Sequence, residues 1–356
     1  MKAARVHEIG KPLQVENISD PTLRAGSVII KVLSAHIPSY TKEIISGKRN
    51  YALPELPFTP GTSAIGVIEA IADDVFGLEI GQKVFCDPYI YSSNIGTEPD
   101  GILLGWTGLA EASPRIQHFW KNGVFAEKVL FPAESLIPLE AAETFAPEKL
   151  ACLNYLTVAY GALKRAQLRP SQTLVINGAT GGLGTAAVLA ALAIGTVKII
   201  VVGRDQERLK ELVELDDKRI ASVTVEGDVD SDSKKIKTVA DNSVDVVIDF
   251  LGGVKKPEPT LTCFNSLRRG GTAVFVGGVQ ANIPLPYSKI MVEQLNVKGS
   301  FMYSRSVPSE LLQMVSARTL NLDAFKVHTF KLNEIEMAID KISSFKGLDY
   351  GILVPV

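Results

Sequence analysis

A glycine-rich turn lies between an apolar run and an alanine-rich stretch near the middle of the chain. Its glycines allow a sharp turn, a close approach to a pyrophosphate and tight packing of the next segment on the preceding strand. Free N–H groups at the start of a helix also face an anion bound there. The turn consists of Gly178, Ala179, Thr180, Gly181, Gly182, Leu183 and Gly184. This pattern predicts a dinucleotide-binding loop.

The neighbouring segments favour this interpretation over an ordinary strand-to-helix turn. Residues 185–194 predict a helix of small and aliphatic side chains that ends at Gly195. Residues 197–202 are a β-branched run, which is typical of a strand buried on both faces of a parallel sheet. With the apolar strand 173–177, these segments complete a βαβ unit, the setting in which such a loop binds a dinucleotide.

The end of the second strand bears on which nicotinamide dinucleotide is bound. An acidic side chain there would accept hydrogen bonds from the ribose hydroxyls of NAD. This chain has Gly203 followed by Arg204, and a guanidinium can hold a 2′-phosphate through two charge-assisted hydrogen bonds. We therefore expect NADP(H) as the cofactor. Arg204 could instead be a solvent-facing residue that opens the helix 205–215, and Arg208 could assist or also face solvent.

Composition excludes several classes of function. The 356 residues suffice for two domains, and 46% hydrophobic residues, 21% charged residues and a net charge of −2 are typical of a soluble globular protein. Lys and Arg are dispersed, so we expect no nucleic-acid partner. We also expect no membrane partner, because no membrane span or targeting segment is evident. Three widely spaced cysteines indicate a reducing compartment, and the cytoplasm is the expected location.

The hydrophobic pattern changes near residue 150. Before it, short apolar runs broken by Pro and Gly predict a mostly antiparallel β domain. After it, helices and strands alternate, which predicts a doubly wound parallel sheet and hence an α/β fold. We assign 1–150 and 300–356 to the first domain and 151–299 to the nucleotide-binding domain. Segment 88–122 has no clear period and could be a functional lobe, an interaction surface or a loose insertion.

Three further motifs carry a family resemblance. They are residues 58–68 (FTPGTSAIGVI), 154–162 (NYLTVAYGA) and 246–253 (VVIDFLGG). With the glycine loop, they make the chain similar to the medium-chain dehydrogenase/reductase superfamily over essentially its whole length. The resemblance implies a Rossmann cofactor domain, a GroES-like catalytic domain and a homodimer formed through strand 296–301.

The resemblance also implies cofactor contacts beyond the loop. The strand motif ends near Phe250, and backbone at the ends of later strands would hold the nicotinamide carboxamide, namely at Gly277, Gly278 and Ser300. Glycine at a strand exit is also ordinary turn chemistry, so both explanations stay open.

The chain departs from the zinc-binding members of this family at every ligand position. By motif, the Cys, the His and the further Cys or acid are Pro38, Thr62 and Asn154 here, and Ser63 replaces a Glu. None of these side chains competes with thiolate or imidazole for zinc. The four histidines are scattered singly along the chain. We therefore expect no metal site.

Loss of the metal changes the expected reaction. A metal supplies several kcal/mol of stabilisation at an isolated carbonyl, whereas an enolate formed from a conjugated acceptor can be stabilised by hydrogen-bond donors. The resemblance then favours the zinc-independent branch, similar to quinone oxidoreductases and enoyl reductases. We expect an NADPH-dependent, metal-free reductase of a small-molecule enone, enal, quinone or enoyl thioester. The alternatives are a zinc-independent carbonyl reductase or alcohol dehydrogenase, and a catalytically silent NADP-binding protein like the crystallins of this family.

The candidate catalytic residues are Tyr51, Asn154 and Thr157. Residues 50–57 resemble the segment of enoyl thioester reductases whose Tyr protonates the substrate, and Tyr51 matches that Tyr, although it could equally be a packing aromatic. Asn154 and Thr157 match positions of the family helix that face nicotinamide and substrate. Hydrogen bonding near the helix end would also explain them. Tyr40 could enter the site as well.

Overall fold

The computed structural model describes residues 1–91, 101–110 and 113–355. The chain forms two compact units. The first contains Met1–Asn154, Phe325–Phe345 and the chain from Asp349 onward, and the second contains Tyr155–Ala324 and Lys346–Leu348.

The chain returns to the first unit at Phe325. The sequence predicts this return at residue 300, which is 25 residues earlier. The reason is packing within the second unit. Tyr160 donates a hydrogen bond to Glu310 at 2.8 Å, and a Cβ on Gly161 would lie 2.7 Å from the Cβ of Tyr303. Residues 300–324 are therefore held on the second unit.

The first unit begins with short strands separated by loops. Its elements up to residue 150 are β1 (Lys2–Arg5), β2 (Gln14–Asn17), β3 (Ser27–Ile37), α1 (Thr41–Ile45), β4 (Ala64–Ile71), β5 (Lys83–Cys86), β6 (Tyr89–Tyr91), β7 (Gly101–Leu103), β8 (Thr107–Gly108), α2 (Ser113–Phe119), β9 (Lys128–Pro132), β10 (Leu136–Pro138) and α3 (Pro147–Leu150).

The second unit alternates helices and strands. Its elements are α4 (Leu153–Ala166, whose first two residues belong to the first unit), β11 (Thr173–Asn177), α5 (Gly182–Ile194), β12 (Lys198–Gly203), α6 (Gln206–Val213), β13 (Ile220–Thr224), α7 (Val229–Val239), β14 (Val244–Asp249), α8 (Glu258–Ser266), β15 (Leu267–Phe275), α9 (Tyr287–Glu293), β16 (Asn296–Gly299) and α10 (Ser306–Ser316).

The last part of the chain completes the sheet of the first unit. It consists of β17 (Lys326–Lys331), α11 (Ile335–Ile342) and β18 (Asp349–Val354). The strand order is β10-β5-β4-β3-β18-β17, and β9 also pairs with β3. All these pairs are antiparallel except β17 with β18, so the predicted mostly antiparallel domain is confirmed. Its core is aliphatic and aromatic, with Val28, Ile30, Phe85, Phe125 and Phe131 fully buried.

The loop before β4 is tied to the segment before β9 by close backbone contact. The carbonyls of Thr59, Pro60 and Gly61 accept hydrogen bonds from the N–H groups of residues 123, 125 and 124 at 2.7–3.1 Å. A Cβ on Gly123 would lie 1.9 Å from the Gly61 oxygen, so only glycine permits this approach. The contact fixes the backbone that leads into Thr62.

The described parts of segment 88–122 are ordered and packed. β6, β7 and β8 form a small antiparallel sheet, and Ile90, Ile102 and Trp106 are buried. Residues 92–100 and 111–112 of the segment lie outside the described residues. Of the open alternatives, a loose insertion does not fit the part that the structure describes.

The second unit is a parallel sheet with the order β13-β12-β11-β14-β15-β16. The predicted doubly wound sheet is thus confirmed. The order reverses beside β11, and ligands of open α/β sheets bind outside the carboxyl ends of the strands at such a point. The loop 178–184 follows β11 directly. Within the described ranges, no helix is long and apolar enough to cross a bilayer.

Candidate functional site

A cluster of three polar side chains lies in the first unit. His36 is near the end of β3, Thr62 precedes β4, and Asn154 stands at the start of α4. Asn154 Nδ2 lies 2.9 Å from His36 Nδ1 and 3.5 Å from Thr62 Oγ1. The fold thus joins residues that are up to 118 positions apart in sequence.

This cluster is buried and neutral. All three side chains are buried, and burial lowers the pKa of His36 to about 3 because a charged imidazole would lose its hydration. The ring stacks on Tyr350 with a centroid distance of 5.1 Å and an angle of 26°. The stack follows from strand register, because His36 lies opposite Ile352 and Tyr350 is its diagonal neighbour on the same face.

The hydrogen bond also assigns the protonation of the ring. An amide Nδ2 can only donate, so His36 Nδ1 accepts and Nε2 carries the proton. Beside the cluster, the Ser63 hydroxyl is buried and has no hydrogen-bond partner among the described residues. Ser63 stands where the family's zinc-binding members have Glu.

The residues at the family's zinc positions do not suit zinc. An amide, a hydroxyl and a proline offer no thiolate or carboxylate, and the single imidazole near them already accepts a hydrogen bond from Asn154. Across the described residues, no group of three or more His, Cys, Asp and Glu side chains could hold a metal ion.

Tyr51 lies in a loop anchored by segment 101–110. The next residue, Ala52, accepts a hydrogen bond from Gly108 N–H at 2.9 Å and donates one to Thr107 Oγ1 at 3.2 Å. Tyr51 is half-buried, and its backbone N–H donates to the Arg49 carbonyl at 2.9 Å.

Arg49 is the centre of this second group. Burial disfavours its charge, but Glu43 and Tyr51 outweigh that effect and raise the pKa of Arg49. Its Nε donates to Glu43 Oε2 at 2.6 Å, and its guanidinium lies 4.7 Å from the ring centroid of Tyr40. Tyr40 in turn makes an edge contact with Trp106 at 6.3 Å.

Thr157 is fully buried in α4, one turn after Asn154. Its catalytic role stays a prediction, and so does the alternative of hydrogen bonding near the helix end. α3 and α4 are separated at residues 151–152, where the N–H of Cys152 donates to the Lys149 carbonyl three residues back.

The glycine loop of the second unit has the geometry of a phosphate cradle. Gly178 has a φ of +75°, and a Cβ on Gly184 would lie 2.3 Å from the Gly178 oxygen. A Cβ on Gly182 would lie 2.5 Å from the ring of Tyr155. α5 begins at Gly182, and its N-cap residue Gly181 makes no side-chain cap hydrogen bond; the start of a helix is a favourable place for an anion. Predicted residues 178–184 therefore fit a dinucleotide.

The strand ends bring the other predicted cofactor residues to one edge of the parallel sheet. Gly203 closes β12, and its added Cβ would lie 3.2 Å from Thr180 Cγ2. Phe250 follows β14, and its N–H bonds the Asn177 carbonyl. A Cβ on Gly277 would lie 1.9 Å from the Leu251 oxygen. By contrast, Gly278 has open space around it, so steric crowding does not explain a glycine there. Ser300 N–H bonds the Phe275 carbonyl at 2.9 Å.

The basic residues after β12 differ in their surroundings. Arg204 is exposed and bonds no other described residue. Arg208 donates to the Lys346 carbonyl at 3.0 Å and pairs with Asp205 at 3.5 Å, while Gly347 N–H bonds the Thr180 carbonyl at 2.9 Å. Residues 346–347 thus bring the chain beside the glycine loop.

Sequence reasoning missed two groups. His36 was one of four scattered histidines, and only the fold reveals its contact with Asn154. Asp249 closes β14, accepts hydrogen bonds from Thr260 Oγ1 at 2.6 Å and Leu251 N–H at 2.9 Å, and burial raises its pKa. Its position in the VVIDFLGG motif was a signal for Asp249, whereas nothing in the sequence marked His36.

The buried imidazole predicts a pH effect on stability. An unfolded histidine has a pKa of about 6.5, so below that pH the unfolded chain binds a proton that folded His36 refuses until about pH 3. The free energy of unfolding should therefore fall as pH drops from 6.5, by about 2 kcal/mol at pH 5 from this residue. Urea unfolding followed by the fluorescence of Trp106 and Trp120, both in the first unit, measures it.

A His36→Gln variant should lose this part of the pH dependence. A His7→Gln variant should keep it, because His7 is exposed. Equal pH slopes for the wild type and His36→Gln would contradict a neutral buried ring.

Both parts of the chain match families of known proteins. Residues 24–141 match the family model of the alcohol dehydrogenase GroES-like domain, and residues 182–317 match that of the zinc-binding dehydrogenases. An NAD-dependent alcohol dehydrogenase of Sulfurisphaera tokodaii is 30% identical over 368 residues, which cover 100% of both chains.

Solved structures show the same fold. Alcohol dehydrogenase TADH from Thermus sp. ATN1 has a TM-score of 0.83 at 21% identity and covers 100% of both chains. A protein of Sinorhizobium meliloti 1021, solved with NADP bound, has a TM-score of 0.80 at 20% identity and covers 99% of both. The predicted GroES-like and Rossmann domains are confirmed, while the curated relative is named an alcohol dehydrogenase, not a quinone or enoyl reductase. The chain belongs to the medium-chain dehydrogenase/reductase superfamily and is an oxidoreductase of that family.

Proposed function

We propose that the chain is a nicotinamide-dependent oxidoreductase that interconverts a small-molecule alcohol and its carbonyl compound without a catalytic metal. The observation that carries this proposal is the full-length similarity to a protein named alcohol dehydrogenase. The bound nicotinamide would supply or accept the hydride. The glycine loop 178–184 would hold the pyrophosphate, and the neutral cluster of His36, Thr62 and Asn154 would provide hydrogen bonds to a substrate oxygen.

The neutral cluster limits which carbonyls suit this reaction. Without a cation, the developing negative charge on oxygen is stabilised only by hydrogen-bond donors, which act best in a dry, preorganised setting. Aldehydes, and ketones activated by a neighbouring electron-withdrawing group, therefore suit the chain better than plain dialkyl ketones.

Reduction of an activated double bond or a quinone is the second candidate. The half-buried phenol of Tyr51 supports it, because a phenol beside the substrate could protonate an enolate after hydride transfer. Tyr51 would then be catalytic, as its match to the enoyl reductase segment implies. A cofactor-binding protein without turnover is the remaining alternative.

A substrate panel separates these functions. The purified chain is mixed with reduced cofactor and aldehydes, activated ketones, enones, quinones or enoyl thioesters, and the absorbance of the reduced cofactor is followed. We expect turnover of the carbonyl compounds and oxidation of the matching alcohols in the reverse direction. Turnover confined to enones, quinones or thioesters would replace the first candidate by the second. Cofactor binding without any turnover would contradict both.

We propose NADP(H) as the preferred cofactor. No carboxylate stands at the end of β12, where Gly203 is followed by the exposed guanidinium of Arg204. Arg208 lies one turn later, beside the backbone of Lys346. Both cations could face a 2′-phosphate, whereas the named relative is NAD-dependent. Arg204 and Arg208 would then explain why this chain prefers NADP(H) while that relative uses NAD.

An Arg204→Ala variant should weaken NADPH binding roughly 10–100-fold, because it removes charge-assisted hydrogen bonds of about 1.5–3 kcal/mol. NADH binding should change little. Calorimetric titration of both cofactors measures the difference, and Arg269→Ala, which removes another exposed guanidinium of the second unit, is the control. Equal losses for NADPH and NADH would remove Arg204 from the 2′-phosphate.

We also propose that two copies of the chain associate through the β16 edge. β16 is the last strand of its sheet, and α9 beside it buries none of its residues. Tyr287 is 80% exposed and Phe301 71%. An uncovered strand edge flanked by apolar side chains is typical of an interface.

The cytoplasm remains the proposed location, supported by three buried, unpaired cysteines.

Light scattering after size-exclusion chromatography tests the dimer. The wild type should have twice the mass of one chain, and Val297→Lys should have the mass of a single chain because it places a charge on the edge strand. Phe76→Lys, at an apolar residue of the first unit that is 88% exposed, should remain dimeric. A monomeric wild type would contradict the proposal.

A further inference from the structure

We propose that Thr62 donates the hydrogen bond to the substrate oxygen, and that Asn154 and His36 are positioning residues that direct its hydroxyl hydrogen outward. This inference rests on the proposed function and assigns roles within it. Sequence reasoning had placed Asn154, rather than Thr62, in the catalytic role.

The Asn154 amide directs its nitrogen into the cluster. Nδ2 lies 2.9 Å from His36 Nδ1 and 3.5 Å from Thr62 Oγ1, both of which belong to the cluster. A carboxamide nitrogen carries two hydrogens. The donor side of Asn154 is therefore directed at its neighbours in the protein.

The Thr62 hydroxyl accepts a hydrogen bond from the Asn154 amide. A hydroxyl has one hydrogen and two lone pairs, and Asn154 approaches the oxygen as a donor. The Thr62 hydrogen therefore points away from the amide, and within the described ranges the hydroxyl donates to no protein acceptor. A buried donor left unsatisfied costs about 1–3 kcal/mol. A ligand oxygen would recover that cost.

The cluster of His36, Thr62 and Asn154 is held rigidly by its surroundings. The backbone before Thr62 is tied by three hydrogen bonds to residues 123–125, and His36 is held between its strand and the ring of Tyr350. Donors fixed before the reaction need no reorganisation when charge develops on the substrate. Because the cluster is neutral, the oxygen that it suits is that of a carbonyl or alcohol rather than a carboxylate.

Thr62→Val tests the donor directly, because it keeps the shape of the side chain and deletes the hydroxyl. We expect kcat to fall about 100-fold, as for loss of one donor in an oxyanion hole, with unchanged affinity for the reduced cofactor. Thr62→Ser should restore most of kcat. A fall of less than tenfold in Thr62→Val, in protein that binds the cofactor normally, would overturn the proposal.

Asn154→Asp tests the positioning. The carboxylate has the same shape but only accepts, so it would capture the Thr62 hydrogen and deprive the substrate of it. We expect a loss in kcat similar to that of Thr62→Val, and no further loss in the double variant, because both changes remove the same interaction. Additive losses would show that Asn154 acts independently of Thr62 and would overturn its positioning role.

Nitrogen NMR of the four histidines provides a readout that needs no activity. His36 should show a protonated Nε2 and an unprotonated, hydrogen-bonded Nδ1 at neutral pH, and the Nδ1 signal should move in Asn154→Asp. A proton on Nδ1 in the wild type would mean that Asn154 presents its oxygen to the ring, which overturns the donor assignment even if Thr62→Val failed to fold.

These outcomes keep the two proposals apart. If the wild type turns over no acceptor, the proposed function fails, and the NMR experiment still decides the orientation of the amide. If the wild type turns over carbonyl compounds and Thr62→Val does so equally well, only the role of Thr62 fails.

Discussion

The buried hydrogen bond between Asn154 and His36 sets the chemical character of the first unit. It lies where a charge would lose its hydration, which is why the pKa of His36 falls to about 3. A neutral imidazole can accept from the amide, and the amide can then serve Thr62 as well. The site consequently offers neutral donors, and its chemistry must suit substrates whose developing charge can be stabilised by hydrogen bonds alone.

The second unit depends on close approach of backbone to backbone. At Gly184 and Gly277 an added Cβ would lie 2.3 Å and 1.9 Å from a carbonyl oxygen, so the loops at the carboxyl edge of the sheet can be this compact only with glycine. This compact loop leads directly into the start of α5 at Gly182, and a helix N-terminus favours an anion. Asp249 holds the neighbouring turn through Thr260 and the Leu251 N–H.

The family to which the chain belongs includes zinc-binding enzymes, but the residues at the zinc positions of this chain do not suit zinc. The family model that matches residues 182–317 is described as zinc-binding dehydrogenase, whereas the residues at the expected ligand positions are a proline, a threonine and an asparagine. The fold provides the same frame for the cofactor in either case, because the βαβ unit and the strand order do not depend on the metal. The group that stabilises charge on the substrate oxygen changes from a metal ion to hydrogen-bond donors. The range of carbonyl compounds that we expect the chain to reduce changes with it.

Much of this protein was determined by sequence alone. The glycine loop, the β-branched strands and the change of pattern near residue 150 predicted two domains and a parallel nucleotide-binding sheet, since these features depend on local backbone conformation and hydrophobic period. The sequence could not show that His36, 118 residues before Asn154, is its hydrogen-bond partner, nor that residues 300–324 stay with the second unit. Those contacts arise from strand register and side-chain packing between distant segments, which only the tertiary structure decides.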